Sequence, residues 1–444
     1  MSDNLNRDSF TGKWGFILAC IGSAVGMGNI WRFPVLVSAW GGMTFLIPYF
    51  IFVILIGSTG VIEEFALGRM AAAGPMGAFA MATGRRGKAS TGAVLGLIPI
   101  LGSLLLAIGY TCVMGWIVKY TWMSLDGSLY AMGQDMGVIG GTFESTASAF
   151  GANFWIILTM LISFGIMCMG IAGGIEKANK FMMPVLFVLF LGLGIYIAMQ
   201  PGSAGGYKYI FTVNPEGLAD PKLWIFAFGQ AFFSLSVAGS GSVIYGSYLP
   251  KNEDIPASAK NVAFFDTMAA LLAAFVIIPA MAVGGAELSE GGPGLMFIYL
   301  VNVINGMTGG HIVGIIFYVC VLFAGISSIV NLYETPVAFM QEKFKLNRVM
   351  ATGVIHVIGC IVAIMIQAIV SDWMDFISIY MCPLGALLAG VMFFHVLPKE
   401  EALSAVNMGA KTTIGDWFYP LGKYLYCAMA LIALIAGAIL GGIG

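Results

Sequence analysis

Apolar residues run along this chain in long blocks separated by short polar interruptions. The blocks lie at 14–38, 42–70, 92–124, 153–172, 181–200, 223–248, 261–285, 311–340, 349–370, 374–397 and 418–442. None alternates apolar and polar positions at period two, so each predicts a helix and not a barrel strand. About 20 apolar residues cross a bilayer as helix. In lipid every backbone N–H and C=O must be paired internally, which leaves helices or closed barrels as the spanning structures. The pattern therefore predicts an all-α integral membrane protein with eleven transmembrane helices. One further apolar stretch, 295–304, is too short to span and predicts a cap lying on the outer face.

Composition agrees with this reading. Of 444 residues 59% are hydrophobic and 9% charged, against about 25% charged in soluble domains. Eleven spans and their loops use nearly the whole chain, which leaves no room for a large soluble domain. The net charge is -2 and no basic block is long enough to follow a phosphate backbone, so no nucleic-acid partner is expected. Seven cysteines sit in or beside apolar blocks without a CxxC pair, as small packing residues do. The three histidines, His311, His356 and His395, are too scattered to suggest a metal site. Asp3 and Asp8 precede the first block and no small-residue cleavage site follows it, so no cleaved signal peptide is expected.

Lys and Arg set the orientation. They recur after even-numbered blocks, as Arg85, Arg86 and Lys88, then Lys177 and Lys180, Lys251 and Lys260, Lys343, Lys345 and Arg348, and Lys399 and Lys411. The opposite loops are poor in them: 126–152 carries Asp126, Asp135 and Glu144, and 284–310 carries Glu287 and Glu290, neither with a Lys or Arg. The expected location is the cell inner (plasma) membrane, with the N-terminus cytoplasmic and the C-terminus extracytoplasmic.

Two blocks contain sequences that make poor helix. The first reads Gly22-Ser23-Ala24-Val25-Gly26-Met27-Gly28-Asn29, and the sixth reads Ser234-Leu235-Ser236-Val237-Ala238-Gly239-Ser240-Gly241-Ser242. A glycine costs about 1 kcal/mol against alanine inside a helix. Taken alone, Gly22-x-x-x-Gly26 also reads as a small-residue packing face. Breaks in corresponding blocks of two five-helix halves point instead to an inverted-repeat transporter with its site at the midplane. The division is 12–200 for the first half, 223–397 for the second, and 418–442 for helix 11, within a single domain over 1–444. Freed carbonyls offer oxygens to a cation, and half-helix N-termini offer N–H groups to an anion. A site with both suits a zwitterion bound beside Na+. Glu63, Glu64, Asp266 and Glu334 also lie within apolar blocks. Glu63 and Glu64 read as buried, hydrogen-bonded structural acids, and Asp266 as functional.

The residues 22–34, GSAVGMGNIWRFP, resemble the first-helix signature of the neurotransmitter:sodium symporters. The residues 229–236, GQAFFSLS, resemble their sixth-helix signature, and 324–328, AGISS, their eighth-helix sodium motif. The likeness covers nearly the whole chain, and eleven spans resemble bacterial members such as the leucine and tyrosine transporters. It implies sodium-coupled symport of an amino acid into the cell by alternating access. It also implies two sodium sites. The first comprises Ala24, Asn29, Ser234 and Asp266 with the substrate carboxylate. The second comprises Gly22, Val25, Ala324, Ser327 and Ser328. For the substrate it implies Ala24, Phe233 and Ser236 at the amino group, and Gly26, Met27, Gly28 and Tyr110 at the carboxylate. Leu106, Phe233, Gly239, Ser328 and Leu332 line the side-chain pocket, beside Ser234, with Phe233 and Tyr110 as its lid. Arg32 and Asp375 match the extracellular gate. Arg7 and Glu342, with Tyr248 nearby, match the cytoplasmic one, where the usual acid is Asp.

Two departures bear on mechanism. Chloride-dependent animal members have Asn where this chain has Asp266, so transport without chloride is expected, with proton counter-transport open to the same carboxylate. Gly239 stands where a bacterial member places a Phe against the substrate, which suggests a hydrophobic or aromatic amino acid. Among rivals, a channel needs a pore lined by carbonyls or charged rings. An enzyme needs a nucleophile–base pair or an HExxH motif, and neither appears. A sodium-dependent sensor that binds an amino acid without moving it keeps the same ligands. The sequence specifies no oligomeric state.

Overall fold

Helix is the regular structure found among the described residues, 9–237, 241–285 and 294–441 of a computed structural model. Arg7, Gly239, Glu287 and Glu290, singled out above, lie outside them.

The first apolar block is two helices, Lys13–Ala24 (α1) and Gly28–Ala39 (α2), bent by 53° at the break between them. Gly41 and Gly42, at φ of 83° and 59°, turn the chain into Met43–Ala71 (α3). These angles are open to glycine without steric cost. Ala89–Leu125 (α4), Asn153–Cys168 (α5) and Ile171–Ala198 (α6) follow. The sixth block contains Pro221–Ser234 (α7) and Gly241–Gly246 (α8). Then come Ile255–Val283 (α9), the short apolar Leu295–Gly306 (α10), Gly310–Phe344 (α11), Arg348–Val396 (α12) and Phe418–Leu440 (α13).

Among the described residues, seven helices are long and apolar enough to cross a membrane, or eight if α1 and α2 count as one span. The ninth and tenth blocks run together as α12, of 49 residues. At 1.5 Å per residue that is roughly 70 Å, over twice a ~30 Å hydrocarbon core. A 3-10 turn interrupts it at Gln367–Ile369, close to the boundary expected between 349–370 and 374–397.

Other boundaries move for local reasons. The fifth block starts at Ile171, ten residues earlier than apolarity alone indicates, and so takes Lys177 and Lys180 into the helix. Lys180 pairs there with Glu176 one turn away, at 2.5 Å. The seventh starts at Ile255 because Asp254 accepts the Ala257 N–H at 3.0 Å and Pro256 fits the first turn. The stretch 126–152 contains helices Ser128–Ala131 and Met136–Ala147. Asp135 caps the second by accepting the Gly137 and Val138 N–H groups at 2.9 and 3.2 Å.

Large apolar side chains such as Ile54, Met199, Met365 and Ile439 face outward, as a lipid-bathed surface requires. Inside, small residues let helices meet backbone to backbone. A Cβ on Gly68 would fall 2.0 Å from the Val243 carbonyl oxygen, and one on Gly246 2.5 Å from that of Phe65, so α3 and α8 touch directly. The broken pairs α1–α2 and α7–α8 are held among α3, α6, α9 and α11.

Candidate functional site

The first break exposes backbone polar groups in the protein interior. α1 ends when the Val25 N–H donates to the Ile21 carbonyl at 2.6 Å and Val25 turns extended. Among the described residues no backbone N–H donates to the Gly22, Ala24 or Val25 carbonyls, and the Met27 and Gly28 N–H groups reach no acceptor. Buried backbone groups are nearly always paired. A ligand with both negative and positive ends supplies what these lack.

The second break faces the first. Ser236 adopts φ 56°, an unusual backbone for a residue with a side chain. Its hydroxyl donates to the Ser23 carbonyl at 2.8 Å, tying the two breaks together. Gln230, six residues earlier on α7, adds a second tie by donating to the Gly28 carbonyl at 2.9 Å.

Asn29, Ser234 and Asp266 converge in one buried network. The Asn29 amide donates to Asp266 Oδ1 at 2.7 Å and to Ser234 Oγ at 3.1 Å. The Ser234 hydroxyl donates to Asp266 Oδ2 at 2.8 Å. Asn29 Oδ1 accepts the Gly26 N–H at 3.1 Å, which keeps one lone pair for a cation. Of the three amides expected to meet the substrate carboxylate, the Gly26 amide is thus already engaged.

Ser327 and Ser328 lie on α11 against the same break. The Ser327 hydroxyl donates to the Ala324 carbonyl at 2.8 Å. A Cβ on Gly26 would fall 2.1 Å from Ser328 Oγ, so only glycine admits that hydroxyl. Gly22, Val25, Ala324, Ser327 and Ser328 offer neutral oxygens only, a donor set that fits a hard monovalent cation.

A cavity of about 40 Å³ sits between these groups. Ala24, Gly26, Gly28, Leu106, Tyr110, Phe233, Ser234, Ser236, Ser328 and Leu332 all line it. Met27 does not line it, and Gly239 lies outside the described residues. The structure adds Asn331, whose buried Oδ1 has no hydrogen-bond partner. Helical spacing gives the signal that was available: Asn331 follows Ser327 by one turn on the same face.

The gate residues are placed unevenly. Among the described residues no ion pair joins Arg32 to Asp375. Arg32 instead lies over the Phe233 ring, 5.0 Å from its centroid. Glu342 accepts the Gly74 N–H at 2.9 Å. Tyr248 donates to Glu334 at 2.6 Å, and Arg348 grips the same carboxylate through two nitrogens at 2.7 and 2.6 Å. That cluster ties α11 to the start of α12, and its Glu334–Arg348 pairing was not legible in the sequence. The hydrogen-bonded role expected of Glu63 and Glu64 is not found among the described residues. All four of their carboxyl oxygens are buried without a partner, although Glu64 lies near the Ser242 and Val243 amides.

Fold and site together define a membrane protein whose broken helices enclose a polar, cation-compatible centre. The chain matches the profile of the Sodium:neurotransmitter symporter family over residues 7–133 and 141–433, and it belongs to that family. An uncharacterized sodium-dependent transporter of Methanocaldococcus jannaschii is 28% identical over 456 aligned positions, 97% of this chain and 90% of that protein. The mouse sodium-dependent neutral amino acid transporter B(0)AT3 is 30% identical over 300 positions, 62% of this chain and 48% of its own. Among solved structures, MhsT in complex with L-phenylalanine superposes with a TM-score of 0.85 at 31% identity, over 97% of this chain and 100% of that one. The family and its amino-acid transporters support sodium-coupled symport and speak against an enzyme.

Proposed function

We propose that this chain moves an amino acid into the cell together with sodium, by alternating access around the two breaks. The observation that carries the reading is the set of unbonded carbonyls at Gly22, Ala24 and Val25, at a break that lies a few residues from Asn29 and its buried network with Ser234 and Asp266. In this reading Ala24, Asn29, Ser234 and Asp266 hold the first sodium ion. Gly22, Val25, Ala324, Ser327 and Ser328 hold the second. The Met27 and Gly28 amides and Tyr110 take the substrate carboxylate. Phe233 and Tyr110 cover it, with Arg32 and Asp375 closing the outer side and Arg7, Tyr248 and Glu342 the inner.

The finer points follow from the same residues. Splitting α12 and adding α5 and the α7–α8 pair gives eleven spans in a five-plus-five inverted repeat with one helix appended. The N-terminus then lies inside and the C-terminus outside. Asp266 supplies a fixed negative charge beside the first ion, so no chloride is needed, and the same carboxylate can carry a proton back after sodium leaves. A hydrophobic or aromatic substrate is supported by Gly239 and by the phenylalanine in the MhsT structure.

The test is uptake of labelled amino acids into proteoliposomes under an inward sodium gradient, across the standard amino acids. Sodium-driven accumulation of a large apolar member is the expected result. Sodium-dependent binding with no counterflow would identify a sensor and sink the transport reading. Preference for Gly or Ala would overturn the substrate assignment.

A further inference from the structure

Asn179 lies in the first turns of α6, packed against α1, and none of the roles above uses it. It is buried, with 1% of its surface exposed. Its Nδ2 donates to the Ile175 carbonyl at 2.9 Å, which fixes the amide's orientation. Its Oδ1 is buried with no hydrogen-bond partner. A buried carbonyl oxygen is costly to leave orphaned, and one that is retained calls for an explanation, such as a bound ion.

Its position supplies that explanation. A Cβ on Gly22 would fall 1.9 Å from Asn179 Oδ1 and 3.2 Å from Ser327 Cβ. The Asn179 oxygen and the Ser327 side chain therefore crowd one point, at the residue whose carbonyl is offered to the second ion. The Ser327 hydroxyl is one bond from that Cβ. Three helices meet there, α1, α6 and α11, each bringing an oxygen and no charge.

We infer that Asn179 Oδ1 is a ligand of the second sodium ion, on the side contributed by α6. This rests on the proposed second site and extends it by one oxygen. The nearby acid does not compete for the cation. Glu176, one turn closer to the start of α6, accepts from the Thr11 N–H at 2.8 Å and pairs with Lys180 at 2.5 Å. A neutral amide oxygen adds affinity without adding charge, so the ion is held yet still released.

The experiment uses the purified full chain in detergent, with sodium as the only added ligand. Binding of radioactive sodium and the melting temperature are followed against NaCl, with choline chloride holding ionic strength. Three variants are compared: Asn179→Ala, Asn179→Asp and Ser327→Ala. Losing one ligand oxygen is expected to raise the half-saturating sodium concentration about tenfold in Asn179→Ala. Asn179→Asp keeps the oxygen and adds charge, and is expected to lower it by a similar factor. A packing role moves both variants the same way or neither. If both Asn179 variants titrate like wild type while Ser327→Ala is weakened, Asn179 is not a ligand and the second site stands without it. If Ser327→Ala also titrates like wild type, the second-site reading falls and the inference with it. Should Asn179→Ala fail to fold, Asn179→Asp decides alone: an unchanged titration overturns the inference.

Discussion

Replacing Asp266 by Asn is the substitution whose consequence the geometry specifies best. The carboxylate receives the Asn29 amide at 2.7 Å and the Ser234 hydroxyl at 2.8 Å, and is wholly buried. In the proposed first site, a cation ligated by Asn29 and Ser234 would sit beside it. At about 4 Å and an effective dielectric near 20, the charge pair is worth about 4 kcal/mol. The Asn amide keeps one oxygen for the ion, so the expected net loss is about 2–4 kcal/mol. At about 1.4 kcal/mol per decade, half-saturating sodium should rise on the order of 30- to 700-fold. The assay is uptake of the best wild-type substrate into proteoliposomes, titrated with sodium gluconate and with NaCl. Wild type should give the same curve in both. Asp266→Asn should be right-shifted in gluconate and partly restored by chloride, because a bound anion can replace the missing charge. Two results refute the reasoning. One is a variant within threefold of wild type in chloride-free medium, and the other is wild-type uptake that vanishes when chloride is removed.

Three further substitutions probe other parts of the site. Gly26→Ala puts a methyl 2.1 Å from Ser328 Oγ, so sodium-dependent substrate binding should fall at least about tenfold while gel filtration stays wild-type. Glu334→Gln breaks a pair whose acid is fully buried and whose Arg348 side chain is 15% exposed. It should cost about 3 kcal/mol, read as a lower melting temperature. Asn331→Ala removes an unpaired polar atom from the cavity wall. It should change the ranking among competing amino acids and leave the sodium titration in place, and a shifted sodium curve with unchanged ranking would contradict that placement.

The main outline of the fold was legible because lipid imposes a coarse rule: a span must be long, apolar and self-paired. That rule finds α4, α9 and α11 from apolar length alone. It fails at the ends, where charge is tolerated. α6 extends back through Lys177 and Lys180, where Glu176 pairs with Lys180 one turn away. The site was legible where chemistry is carried by residue type. Asn29, Ser234 and Asp266 are polar residues in apolar blocks, and the structure joins them by hydrogen bonds. It was less legible where position alone matters. Nothing in the sequence says that Asn179 abuts Gly22, or that Arg32 rests on Phe233 instead of pairing with Asp375. Those depend on how helices rotate against one another, which glycines such as Gly22 and Gly26 permit but do not announce.

The fixed carboxylate also constrains what the transporter can accumulate. Each elementary charge crossing about 100 mV is worth roughly 2.3 kcal/mol. The proposed load, two sodium ions with a zwitterion, carries two charges, about 4.6 kcal/mol from voltage alone. That supports on the order of a thousand-fold accumulation before any sodium concentration gradient is counted. If Asp266 returns outward protonated, one charge moves back and the electrical term halves to about 2.3 kcal/mol. The same proton then spares the empty site from carrying a bare carboxylate through a buried network, which is the costlier state in low dielectric. Simultaneous measurement of current and labelled substrate flux separates the two cycles. A charge-to-substrate ratio of two means the carboxylate resets ionised, and a ratio of one, with alkalinisation of the vesicle lumen, means it resets as the acid. A ratio of one that persists in Asp266→Asn would place the returning proton elsewhere.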